Sequence, residues 1–181
     1  MLQACKVLFF VFFDICRLIK RPQDIPASKN LLTICILVYS LLSIFIANLY
    51  QETEQAILGS LIELGLLLLF SWAVLQASGK AVRWIQTVTA LIGTNMVINI
   101  IALPAYVLIS FSGVNELTEG SSTQSLGLLV LAILACWNIV IMSHIVKHSL
   151  ETHFAIALFV ALTYIWIAFS FTSAVMPAGI S

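Results

Sequence analysis

The chain has 181 residues, 61% of them hydrophobic and 9% charged, and its eight Lys and Arg balance eight Asp and Glu to a net charge of zero. Soluble domains carry about 25% charged residues, so this chain has too few charges to coat a water-facing surface, and its mean hydropathy of +1.10 indicates an integral membrane protein. Zero net charge argues against nucleic acid as a partner and leaves the lipid bilayer as the partner to expect.

The first segment reads MLQACKVLFFVFFDICRLIKR. Its apolar core, LFFVFF, is too short to span a bilayer, and Asp14, Arg17 and Lys20 interrupt the stretch after it. No small-residue cleavage site appears, which argues against a secretory signal peptide. Gln3, Lys6, Asp14, Arg17 and Lys20/Arg21 fall near one helical face, with Phe10 and Phe13 as exceptions. Residues 1–29 are therefore expected to form a cytoplasmic segment with an amphipathic helix lying in the membrane interface, apolar face down and charges toward headgroups.

Crossing about 30 Å of hydrocarbon takes roughly 20 apolar residues. Five stretches within 30–181 meet that requirement: 31–49, 56–77, 85–112, 126–146 and 154–176. Pro104 predicts a kink or tilt in the third. The connections are YQETEQ, SGKAVR, GVNELTEGSSTQS and KHSLETH, and there is no internal repeat or long linker. The expected fold is all-α, one integral membrane bundle of five transmembrane helices.

Charge sets the orientation. With five spans and a cytoplasmic amino terminus, Lys6, Arg17, Lys20, Arg21, Lys29, Lys80, Arg83 and Lys147 all fall inside. The loops that fall outside hold Glu52, Glu54, Glu116 and Glu119 with no Lys or Arg, and the uncharged tail PAGIS also falls outside. The positive-inside rule thus predicts a multi-pass protein of the cell inner (plasma) membrane, amino terminus cytoplasmic and carboxy terminus outside. Trp84, beside Arg83, is placed as an interfacial anchor.

Residues 94–104, TNMVINIIALP, put two carboxamides and a proline among lipid-compatible residues. At about 1.5 Å of rise per residue, Glu63 lies roughly 12 Å and Asn95 roughly 13 Å from the outer face. The two can share a level, and Asn95 and Asn99, four apart, share a helix face. Asn138 and Thr163 match in depth nearer the cytoplasm. Glu63, Asn95, Asn99 and Asn138 form the candidate polar cluster. It reads either as interhelical hydrogen-bond glue or as a proton- or ion-binding group on a transport path. Gly59, Ser60, Gly65 and Gly93 are small enough for close helix approach.

His144, His148 and Glu151 near the end of span four are a candidate metal or headgroup site. The four-residue histidine spacing can bind a metal on a helix, but the glutamate of HExxH is absent and Lys147 repels a cation. Cys5, Cys16, Cys35 and Cys136 show no CxxC or His-linked spacing, and no disulfide framework is expected. No nucleophile–base pair, phosphate loop or paired carboxylate occurs, so neither catalytic residues nor a cofactor are expected.

The five-span topology, together with RPQDIPAS before span one, RWIQTVTALIGTN opening span three and WNIVIMSHIVKHSL closing span four, resembles the Yip family of small membrane proteins, bacterial members in particular. The resemblance implies the fold and no catalytic residues. Eukaryotic members engage Rab-type GTPases in vesicle traffic through long cytoplasmic amino-terminal segments, where this chain has a short, apolar and basic one.

Three functions are open from sequence. One is a non-enzymatic membrane protein that organises or assists membrane-protein partners or forms a homo-oligomer. The second is a small transporter or channel with a polar intramembrane pocket around Glu63. The third is a lipid-acting enzyme with the histidines at headgroup level.

Overall fold

The computed structural model of the chain describes residues 2–112 and 120–175, with side chains over 8–110 and 124–175. Most of the 113–125 connection and the PAGIS tail fall outside the described residues. Six α-helices and no strand occur among them: α1 (Leu2–Cys16), α2 (Lys29–Ala47), α3 (Thr53–Ala77), α4 (Trp84–Ser112), α5 (Gly120–Leu150) and α6 (Phe154–Val175). Helices α2 to α6 are each long and apolar enough to cross a membrane.

Local chemistry explains where the helices begin and end. In RPQDIPAS, Pro22 opens a short 3-10 turn and the Arg21 N–H donates to the Asp24 carboxylate at 2.8 Å. Ser28 caps α2 by accepting from the Leu31 N–H at 3.4 Å. Helix α3 closes through Gly79, whose φ of +69° needs the missing side chain, while the Lys80 N–H donates back to Leu75 O at 2.8 Å. Helices α1 and α5 turn the same way at Leu18 (φ 62°) and Glu151 (φ 53°). Neither is glycine, and left-handed backbone costs about 1–2 kcal/mol at such residues.

The spans form a closed ring. Helix α2 touches α3 and α4, α4 touches α5, α5 touches α6, and α6 returns to α3. Lipid tails are as apolar as leucine, so packing and small residues, not exclusion of oil from water, hold such a ring together. The buried face of α3 is Ala56, Ser60, Leu64, Leu67, Ser71 and Leu75, one residue per turn, and α6 buries Ala157 and Ala161. Leu41, Phe159 and Trp166 stay exposed, facing outward as lipid-contacting residues do. Helix α4 is the central member and continues through Pro104.

Helix α1 departs from the sequence expectation in how it uses its apolar surface. Phe12, Ile15 and Cys16 are buried against the bundle, chiefly α4 and also α5. Gly93 makes this seat, because a Cβ there would overlap the Phe12 ring. Cys16 O accepts from Trp137 Nε1 at 3.2 Å, and its thiol lies 3.8 Å from Thr94 O. By helical rise Thr94 is about 15 Å along α4 from Trp84. One apolar flank of α1 is thus covered by protein, and Phe9, Phe10 and Phe13 remain exposed on the other.

Among the small residues expected to allow close approach, Gly93 does so; Gly127, not singled out in the sequence, does so against Ile109. Gly65 does not: nothing lies within 4 Å of where its Cβ would stand.

Candidate functional site

The ring encloses a cavity of about 550 Å³ lined by all five spans. Along α4 it runs from Leu91 past Thr94, Asn95 and Asn99 to Tyr106, about 22 Å by helical rise. Helix α3 contributes Gly59, Ser60, Glu63 and Leu67, and α5 contributes Asn138 and Met142. Tyr39 and Ser43 come from α2 and Tyr164 from α6. At the end that carries Glu52 and Glu54 the cavity reaches Tyr50 and Gln51, and the Tyr50 and Tyr106 rings stack there at 6.0 Å.

The structure therefore brings Glu63, Asn95, Asn99 and Asn138 to one space. The Glu63 side chain is crowded by neighbouring atoms yet accessible, as expected for a group lining an internal opening. None of the three asparagines makes a hydrogen bond to another side chain or backbone group among the described residues. Ser43 Oγ is likewise buried without a partner. Thr163, matched to Asn138 by depth, instead donates to Phe159 O on its own helix at 2.8 Å and does not line the cavity.

Sequence reasoning missed the tyrosines. The chain has four, Tyr39, Tyr50, Tyr106 and Tyr164, and all four line the cavity. The available signal was spacing: Asn99 and Tyr106 are seven apart, two turns along one face of α4.

Toward the opposite, basic end the cavity stops at Leu67, Leu91 and Met142. These residues also wall a much smaller apolar void of about 20 Å³ that continues toward Thr87 and Ser149. Beyond it Thr87 Oγ1 donates to Ser149 Oγ at 2.9 Å. Glu151 then ties the two basic-end connections together, held by Lys80 and by Arg83 Nη2, the latter at 2.6 Å. These hydrogen-bonding cations keep the Glu151 carboxyl below its usual range.

The histidines are organised differently from a ligand set. His144 Nε2 donates to Lys20 O at 3.1 Å, and the His144 and His148 rings meet edge to face at 4.5 Å. His148 O accepts from Gln23 Nε2 at 2.7 Å, and Gln86 Nε2 donates to Ile25 O at 2.9 Å. The bonds to Lys20 O and Ile25 O satisfy backbone of the 17–28 segment as it crosses the bundle, and Gln23 in turn satisfies the His148 carbonyl. Glu151 is committed to Lys80 and Arg83, so His144, His148 and Glu151 do not converge, and no group of three metal-ligating residues occurs among the described residues. Cys16 is a free thiol, pushed up to about 12 by burial.

No protein-family model, curated protein or solved structure matches the chain.

Proposed function

We propose that the chain is a non-enzymatic, Yip-like multi-pass protein of the plasma (inner) membrane that binds a small polar solute in the cavity around Glu63 and carries it across the bilayer. The amino terminus and the basic end face the cytoplasm under the positive-inside rule, so the mouth at Tyr50 and Tyr106 faces outward. Helix α1 sits in the cytoplasmic leaflet, with Phe9, Phe10 and Phe13 toward lipid.

The observation that carries this reading is the gathering of Glu63, Asn95, Asn99 and Asn138 in one cavity, where the asparagines make no hydrogen bond among the described residues. Unpartnered amides in an apolar medium cost several kcal/mol at most and about 1–3 kcal/mol in proteins, so such groups call for water or a solute as partner. The volume of about 550 Å³ falls within the range of small-molecule sites, about 300–1,000 Å³. The apolar floor and the Glu151 latch at the far end fit a protein open to one side at a time. Organising partner proteins was the other reading, with the asparagines as interhelical glue. It loses that support, since they bond to no neighbouring helix.

The test is native mass spectrometry of protein purified in mild detergent, beside an Asn95→Ala/Asn99→Ala variant of equal thermal stability. A released non-lipid solute, carried by the wild type and lost from the variant, is expected, followed by its uptake into proteoliposomes. Phospholipid alone in both samples refutes the reading.

A further inference from the structure

We infer that the solute is a small organic cation, an alkyl- or quaternary ammonium, held by the Glu63 carboxylate in a cavity walled by tyrosine rings. This rests on the reading of the cavity as a solute site and names the ligand's chemistry.

The first ground is charge. Glu63 is the acid lining the cavity, and among the described residues no Lys, Arg or His lines it. Elsewhere in the fold Lys80 and Arg83 hold Glu151, and Lys20 pairs with Asp14 at 3.0 Å. A carboxylate at this depth is costly unless a cation or a proton accompanies it, and the cavity wall supplies no cation. An anionic solute would meet an acid with nothing to offset it.

The second ground is the aromatic wall. All four tyrosines of the chain line this cavity, Tyr39 and Tyr164 along its length and Tyr50 and Tyr106 stacked on each other at the mouth. Aromatic faces attract cations through the ring quadrupole, the basis of the aromatic cages that hold quaternary ammonium groups. The ligand set also separates organic from divalent metal cations. A hard divalent ion needs about six oxygen ligands with several carboxylates among them, whereas this cavity offers one carboxylate. Asn95, Asn99 and Asn138 then remain to bond the ligand's hydroxyl or carbonyl groups.

The probe pair is choline and its uncharged isostere 3,3-dimethyl-1-butanol, which match in shape and differ in charge. Binding to the full-length protein in mild detergent is read by calorimetry. Choline is expected to bind roughly tenfold or more tightly than the isostere, the difference being the electrostatic share of recognition. Glu63→Gln is expected to abolish that preference while leaving the isostere's affinity unchanged. Because the comparison within wild-type protein needs no variant, poor folding of Glu63→Gln leaves the test intact, and Tyr106→Leu, at the mouth, serves as the second variant. Equal binding of the two probes, or an undiminished preference in Glu63→Gln, overturns the cation and leaves the solute site standing. No binding of choline, with a neutral or anionic solute released in native mass spectrometry, does the same. Phospholipid as the cavity's only occupant overturns both.

Discussion

Replacing Gly93 with alanine tests whether α1 is seated on α4 as described. The new Cβ would overlap the Phe12 ring, and overpacking of this kind costs about 1–3 kcal/mol. Alanine recovers about 1 kcal/mol of helix propensity over glycine, leaving a net loss of roughly 0–2 kcal/mol. In a Phe12→Ala background the ring is gone and the same substitution fills vacated space, so its sign should reverse. The expected coupling between the two positions is about 1–3 kcal/mol, in the range seen for side chains in contact.

Cys16 reports the outcome. Burial raises its thiol from 9.0 to about 12, three decades less thiolate, so a maleimide reaches it through the undocked state. In protein with Cys5, Cys35 and Cys136 replaced by alanine, the labelling rate follows the undocked population, about tenfold per 1.4 kcal/mol. Gly93→Ala is expected to accelerate labelling up to tens of fold with Phe12 present, and to leave it unchanged or slower in the Phe12→Ala background. Equal acceleration in both backgrounds, or none in either, refutes the seat.

Two further outcomes come from local geometry. Lys80 and Arg83 lower the Glu151 acid constant below the ordinary 4.5, so the pair's contribution is present above that value and is lost as the pH falls through the lowered one. The melting-temperature difference between wild type and Glu151→Gln should hold from pH 7 to about 5 and shrink in more acid solution. It should also shrink at high salt, which screens solvent-exposed ion pairs; a difference indifferent to both contradicts the latch. Gly79 and Gly65 form a contrasting pair, since neither would crowd a Cβ. Gly79→Ala should destabilise by about 1–2 kcal/mol through its positive φ alone. Gly65→Ala, in mid-helix, should be neutral or gain up to about 1 kcal/mol. Equal effects in a denaturation series would show that backbone conformation does not govern these sites.

The spans were legible because lipid imposes a length and an apolarity on anything that crosses it. Helix ends were less so. Helix α5 begins at Gly120, before the apolar run at Leu126, because a backbone ladder needs no apolar side chains once it leaves lipid. Depth counting put Glu63 and Asn95 at one level, and the structure places both on one cavity. It also matched Asn138 with Thr163 in depth, yet Thr163 bonds its own helix and does not line the cavity. Rise per residue gives height along a helix but not which way the side chain turns. Azimuth is set by packing between helices, and no single helix encodes it. The seat of α1 was equally hidden. It depends on one glycine on α4 receiving a phenyl ring from 81 positions earlier in the chain, and on Trp137 and Gln86 bonding backbone oxygens of a distant segment. The histidines misled for a related reason, since the His144 ring bonds a carbonyl of that same segment and the His148 ring packs against the His144 ring.

The central claim, a polar cavity inside the ring that opens at the acidic end, is tested most directly by a single cysteine at Asn99→Cys in the cysteine-free protein. A membrane-impermeant thiol reagent is applied to intact cells and to inverted membrane vesicles. Labelling from the outer face with little or none from the cytoplasmic face is expected, because Leu67, Leu91 and Met142 close the inner end. Labelling from the cytoplasmic face alone, or from neither, contradicts the cavity as described.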